Sequence, residues 1–271
     1  MTGRAAMTST LLVRPTAGSG RVIHVTPASA GWTHVGFDLH RLAPGDRAAG
    51  GEAGREACLV ILAGRAHVVA GGRDLGVLGG RASPFDGAGW SVYLPAGTDW
   101  TATAEGPCEL AVASAPGSGH GAVTVIDPQA VGLEARGKGS NLRHIRNILP
   151  DTSPVAESLL VVEVMTPAGN WSSYPPHRHD RDAPPGETLL EETYYHRIDP
   201  PQGFAFQRVY TDERDLDETM TVQDGDVVLV PRGYHPVGAP HGYRLFYLNV
   251  MAGPRRLWRF HNDPDHAWLL G

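Results

Sequence analysis

At 271 residues the chain is long enough for one large or two ordinary domains, each burying a core of its own. A formal net charge of −6 with no block of like charges lacks the basic footprint of a nucleic-acid protein, so nucleic acid is not an expected partner. Glycine (34) and proline (22) are abundant and no window sustains a 3.6-residue apolar repeat, which sets helical folds aside and points to an all-β class.

The first twenty residues, MTGRAAMTSTLLVRPTAGSG, carry an apolar stretch too short for a secretory leader or a membrane span, so no membrane partner and a cytoplasmic location are expected. The runs ACLVILAG, RAHVVAGG and CELAVASA then read as short strands, and Cys58 and Cys108 inside them read as small buried hydrophobes. Between them, residues 89–97 read GWSVYLPAG, a strand entering a Pro-x-Gly turn. Residues 225–233, GDVVLVPRG, repeat that pattern 136 residues later, flanked by LLVVEVMTP, FAFQRVYT and YRLFYLNVM. Two copies of one β unit are the simplest explanation. The glycine-rich connector at 115–141 places the division at residues 1–125 and 126–271, each half a sandwich or jelly roll.

Residues 174–198, YPPHRHDRDAPPGETLLEETYYHRI, carry the strongest chemical signal. Period two puts His177 and His179 on one strand face, and His235 follows the second glycine turn. With one carboxylate these three imidazoles form a four-ligand metal set. Glu191 and Glu192 point to opposite faces. Glu192 shares its face with Leu190, Tyr194, His196 and Ile198, a better barrel lining than the face holding Arg197, and it precedes Pro231 by 39 residues as Glu56 precedes Pro95. Glu192 is therefore the expected ligand and Glu191 the alternative. A lone His-x-His is more often surface or core, but here the pair, the acid, the turn and the third histidine converge. His196 and His241 read as ordinary hydrogen-bonded histidines. The first half keeps Glu56 and the turn but has Trp100 near the place of the last histidine and no histidine pair, so it is expected to bind no metal.

This constellation resembles the cupin superfamily, with two departures in spacing: twelve residues rather than three or four separate His179 from the glutamate, and one rather than two lies between Gly233 and His235. The longer stretches GNWSSYPPHRHD, LEETYYHRIDPPQGFAFQRVYTD, DGDVVLVPRGYHPVGAPHGY and YLNVMAGPRRLWRFHNDPDHAWL resemble the 5-deoxy-glucuronate isomerases of bacterial myo-inositol catabolism. The likeness spans nearly the whole chain and is densest over residues 136–269. A sibling family, the 5-keto-4-deoxyuronate ketol-isomerases, matches at His177, His179, His235, Arg143 and the Asp263-x-Asp265-His266 run. The resemblance implies a bicupin, two jelly-roll barrels with the metal in the second alone. It further implies a divalent ion and a small uronate-type substrate, with self-association into a homo-oligomer left open.

The implied reaction is aldose to ketose, 5-deoxy-D-glucuronate to 5-dehydro-2-deoxy-D-gluconate, through an enediolate whose charge a metal can stabilise. Zinc suits the ligand types first, with manganese, iron or nickel as alternatives. An anionic substrate needs local positive charge, for which Arg143 and Lys138 are the candidates; a guanidinium can hold a carboxylate through two parallel hydrogen bonds. Gln207 and Tyr247 are further substrate contacts, and Tyr174, Asp263 and His266 are candidates for moving the proton. The bland readings are core for the aromatics and a terminal cap for the RRLWRFHNDPDHAW tail. Two rival functions are an iron-dependent cupin dioxygenase and a non-catalytic sugar sensor. The second would usually bring a basic helical DNA-binding module, and none is legible.

Overall fold

The computed structural model describes residues 9–270; the first eight residues of the leader stretch and Gly271 lie outside the described residues. Strands dominate, and the one α-helix among the described residues is the four-residue Pro27–Ala30. Glycine and proline cut the apolar runs into lengths that suit strands, and a two-residue alternation lets each strand bury both faces in different cores.

All ladders between the named strands are antiparallel and fall into two lobes. In the first, a six-stranded sheet runs Thr124–Ile126, Ser91–Leu94, Arg55–Ala63, Cys108–Pro116, Gly36–Leu42, Gly20–Val25 in spatial order, opposite a four-stranded sheet of Arg47–Gly50, Trp100–Ala104, Arg65–Ala70 and Arg73–Gly79. The second lobe repeats the order with Val227–Val230, Glu191–Asp199, Arg244–Ala252, Leu160–Thr166, Arg143–Leu149 and adds Leu133–Arg136 at one edge. Its opposing sheet comprises Trp171–Ser172, Val237–Gly238, Ala205–Tyr210 and Asp217–Val222. The connector thus supplies an edge strand to each large sheet. At the other edge of the second sheet lies Leu12–Val13, from the beginning of the chain, paired with Val227 and Val228.

Three apolar cores follow from this arrangement. One fills the first barrel around Leu59, Ile61, Trp100 and Ala102; one fills the second around Val162, Tyr194, Val209 and Val230. The third lies between the lobes, where Phe37, Val60 and Tyr93 of the first large sheet meet Tyr195, Phe246 and Leu248 of the second. Each such side chain contributes about 2 kcal/mol on burial. Both cysteines are buried and free, as their apolar runs imply.

Two glutamates cross this interface in opposite directions. The Glu56 carboxylate accepts the amide hydrogens of Glu157, Ser158 and Leu159 at 2.6–2.8 Å, and the Tyr93 hydroxyl donates to it at 2.6 Å. Reciprocally, Glu191 accepts the amides of Thr33, His34 and Val35 at 2.6–3.0 Å. The ladders confirm the equivalence: Ala57 pairs with Leu94 and Glu192 with Val230, each partner standing just before its turn proline. Counting 39 residues back from each proline had equated Glu56 with Glu192; the structural counterpart of Glu56 is Glu191, because the second unit is one residue longer over this span.

Candidate metal centre

The strand Glu191–Asp199 alternates between the lobe interface and the barrel interior. Glu192, Tyr194 and His196 point inward, whereas Glu191, Tyr195 and Arg197 face the first lobe, Arg197 reaching Asp224 at 2.9 Å and also pairing with Glu109. The neighbouring strand Val227–Val230 runs into Pro231-Arg232-Gly233. Gly233 has φ of 88°, and a Cβ there would lie 2.4 Å from the Tyr210 carbonyl oxygen, so only glycine makes this turn and brings His235 inward.

The twelve residues between His179 and Glu192 fold back on themselves. Ala183 and Glu187 form an isolated bridge, the Glu187 carboxylate accepts the Asp180 amide at 2.9 Å, and the Leu190 amide donates to the His179 carbonyl at 2.8 Å. The insertion therefore returns the chain to the histidine it left. His177 and Arg178 form a short strand with His261 and Asn262 of the C-terminal tail.

His179, Glu192 and His235 offer ligand atoms that all lie within 4.8 Å of one another, each side chain buried. Nε2 of His179 is 3.1 Å and Nε2 of His235 3.2 Å from the same Glu192 oxygen. On the far side of each ring, Nδ1 faces a carbonyl: Leu190 for His179 and Gly233 for His235, at 3.0 and 2.9 Å. Carbonyls only accept, so each Nδ1 carries a hydrogen and each Nε2 faces the Glu192 oxygen, in the neutral ring as a lone pair that a proton or a metal ion would fill. Nε2 of His235 is buried with no hydrogen-bond partner. Three electron-rich atoms converging in a buried space call for a cation between them, and the donor types suit a divalent transition metal.

The charges agree. Burial pushes the His235 imidazole down to about 4, and burial together with its histidine neighbours holds His177 well below the usual histidine value. Burial also disfavours the charged form of His179, but the hydrogen bond and charge of Glu192 outweigh it and raise that imidazole. The ring of His177 lies across that of His235, centroids 4.9 Å apart, and against Phe260 at 4.7 Å; its nitrogens stand outside the cluster of three.

A cavity of about 330 Å³ opens beside His177, lined also by Lys138, Arg143, Tyr174, Phe260 and Asn262. Arg143 donates to the carbonyls of Asn141 and Tyr174, both at 3.2 Å, which turns its guanidinium along the wall. Gln207 and Tyr247 are buried in the barrel interior, the first bonded to His196 at 2.9 Å and the second to Ser172. Asp263 and His266 do not line the cavity. The Asp263 carboxylate accepts from the Tyr210 hydroxyl at 2.7 Å and its amide donates to Pro176 at 2.9 Å, while His266 is half-exposed. In the first lobe, Ala57 occupies the place of Glu192 and Trp100 is buried in the core.

Sequence reasoning missed Arg178 and Asp180, which alternate with the histidines; Arg178 is buried. It also missed Phe260 and Asn262, whose approach to the site depends on a pairing more than 80 residues distant in sequence.

A family model described as the KduI/IolB family matches residues 11–269. The chain belongs to that family. It is 53% identical over 252 residues to a 5-deoxy-glucuronate isomerase of Geobacillus kaustophilus, covering 93% of this chain and 91% of that protein. Against a 5-deoxy-glucuronate isomerase of Bacillus subtilis strain 168 the identity is 47% over 252 residues, 92% of this chain and 93% of that one. The crystal structure of an IolB-like protein from Salmonella typhimurium LT2 superposes with a TM-score of 0.95 at 52% identity, over 97% of this chain and 100% of that chain. The oxalate decarboxylase of Lactobacillus farciminis, in its formate complex, superposes at TM-score 0.62 and 16% identity over 95% of this chain and 90% of that one, a likeness of fold alone. The fold is the duplicated cupin that the family resemblance implies, and its two β units are those the glycine turns mark. Among the described residues no helix is long and apolar enough to cross a membrane.

Proposed function

We propose that the protein is a cytoplasmic aldose–ketose isomerase converting 5-deoxy-D-glucuronate to 5-dehydro-2-deoxy-D-gluconate. The observation that carries this reading is the 53% identity to a 5-deoxy-glucuronate isomerase along nine-tenths of both chains. The buried donor cluster, with an arginine and a lysine in the cavity beside it, is the equipment such a reaction requires.

In this reading His179, Glu192 and His235 hold a divalent ion and His177 supplies the fourth donor from the cavity side. Zinc is the first choice, with manganese, iron and nickel as alternatives; the ion would serve as a Lewis acid that stabilises the oxyanion developing on the substrate. Arg143 and Lys138 bind the carboxylate end of the sugar acid and thereby orient its aldehyde end inward. Tyr174, on the cavity wall, is the candidate for passing the proton between the two carbons, because it lines the cavity the substrate must enter and carries an ionisable hydroxyl. Gln207 and Tyr247 bound the inner end of the site. We assign Asp263 and His266 to holding the tail, and we take the first lobe, divided from the second within the connector, to be structural.

Incubation of purified protein with 5-deoxy-glucuronate in deuterated water, with and without oxygen, tests the reading. Isomerisation places one deuterium on the former aldehyde carbon of a product that has gained no oxygen. Turnover that requires and consumes oxygen would instead establish a dioxygenase.

A further inference from the structure

Of the residues that alternate with the ligands, Arg178 and Tyr234 are buried and Asp180 half-buried, and they bond across the site. The Asp180 carboxylate accepts the Gly233 amide hydrogen at 2.7 Å, so the residue after His179 is tied to the residue two before His235. Arg178, between the two histidines of the pair, donates to the Tyr234 hydroxyl at 3.0 Å and lies over the Tyr234 ring at 5.2 Å. The Tyr234 hydroxyl in turn donates to Asp212 at 2.9 Å, and Arg178 pairs with Asp212 as well. The two ligand-bearing segments belong to no common ladder; these side chains bridge them.

We propose that this cross-brace, Asp180 to Gly233 and Arg178 to Tyr234, is a positioning device that sets the separation of His179 and His235 and so the affinity of the metal centre. It rests on the metal site of the proposed function. Asp180 and Arg178 touch neither ion nor substrate; they act through the backbone of the turn and of the histidine strand. A side chain that holds a ligand segment in place typically alters metal affinity ten- to a hundredfold when removed. The one-residue spacing between Gly233 and His235 fits this arrangement, since only Tyr234, itself part of the brace, then separates the braced amide from the ligand.

The test is cobalt(II) binding to metal-stripped full-length protein, followed by visible absorption and by competition with a chelator. Asp180→Ala is expected to weaken binding at least tenfold and to change the cobalt absorption bands. Asp180→Asn retains an acceptor for the Gly233 amide and is expected to restore most of both. Tyr234→Phe removes only the hydroxyl and is expected to shift affinity severalfold in the same direction, which keeps the proposal testable if the alanine variant fails to fold. Wild-type affinity and an unaltered spectrum in folded Asp180→Ala or, where that variant does not fold, in Tyr234→Phe, would overturn the brace. Absence of cobalt binding by the wild-type protein would overturn the metal site itself, a separate result.

Discussion

Glu191 and Glu192 are consecutive, and strand alternation sends one carboxylate to three amide hydrogens of the opposite lobe and the other to two imidazole lone pairs. Their substitutions should separate cleanly. Glu192→Gln is expected to abolish most metal retention with little loss of stability in the metal-free protein, since the two lone pairs gain an amide donor. Glu191→Gln is expected to cost about 2–4 kcal/mol in urea denaturation while metal content stays near that of the wild type, because an amide group turned toward backbone donors leaves at least one unpaired. Elemental analysis beside a denaturation curve reads both. The face argument from Arg197 picked the inward glutamate correctly in geometry, whereas the 39-residue count reached it through a false equivalence. Periodicity within a strand is local, but a repeat count is sensitive to every loop length between its landmarks.

At the scale of elements, the strands and both glycine turns were legible because each apolar run is bounded by its own punctuation. The pairing of His177–Arg178 with His261–Asn262 was not, since a two-residue strand carries no periodicity and its partner comes from the far end of the chain. That pairing recasts Asp263. With its amide on Pro176 and its carboxylate on Tyr210, it pins the tail beside the histidine strand. Asp263→Ala is expected to lower amide-exchange protection at Asn262 and His177 by roughly tenfold, the equivalent of about 1.4 kcal/mol, with turnover falling less than that. A proton carrier would show the reverse pattern, protection intact and turnover nearly lost.

Across the whole molecule, burial of His196 couples stability to acidity. Desolvation lowers its imidazole to about 4 despite the supporting bond from Gln207, while in the unfolded chain it titrates near 6.5. The native protein keeps it neutral, so its contribution is intact above pH 6.5 and is lost as the pH falls toward 4, where the unfolded state has taken up a proton that the folded state refuses. The loss is on the order of 3 kcal/mol for this fully buried group. Urea midpoints of metal-free protein measured from pH 7 to 4 should decline accordingly, and His196→Asn should flatten that decline. Equal slopes for the two proteins would remove the assignment.

The reciprocal carboxylates of Glu56 and Glu191 bear on how such a duplicated chain can diverge. Each unit finishes its sibling by neutralising a trio of main-chain donors that would otherwise face an apolar seam, so neither half is dispensable to the other's fold. The inward position can therefore differ, alanine at 57 against glutamate at 192, without disturbing that mutual need, since the carboxylate that serves it stands one residue earlier in each half.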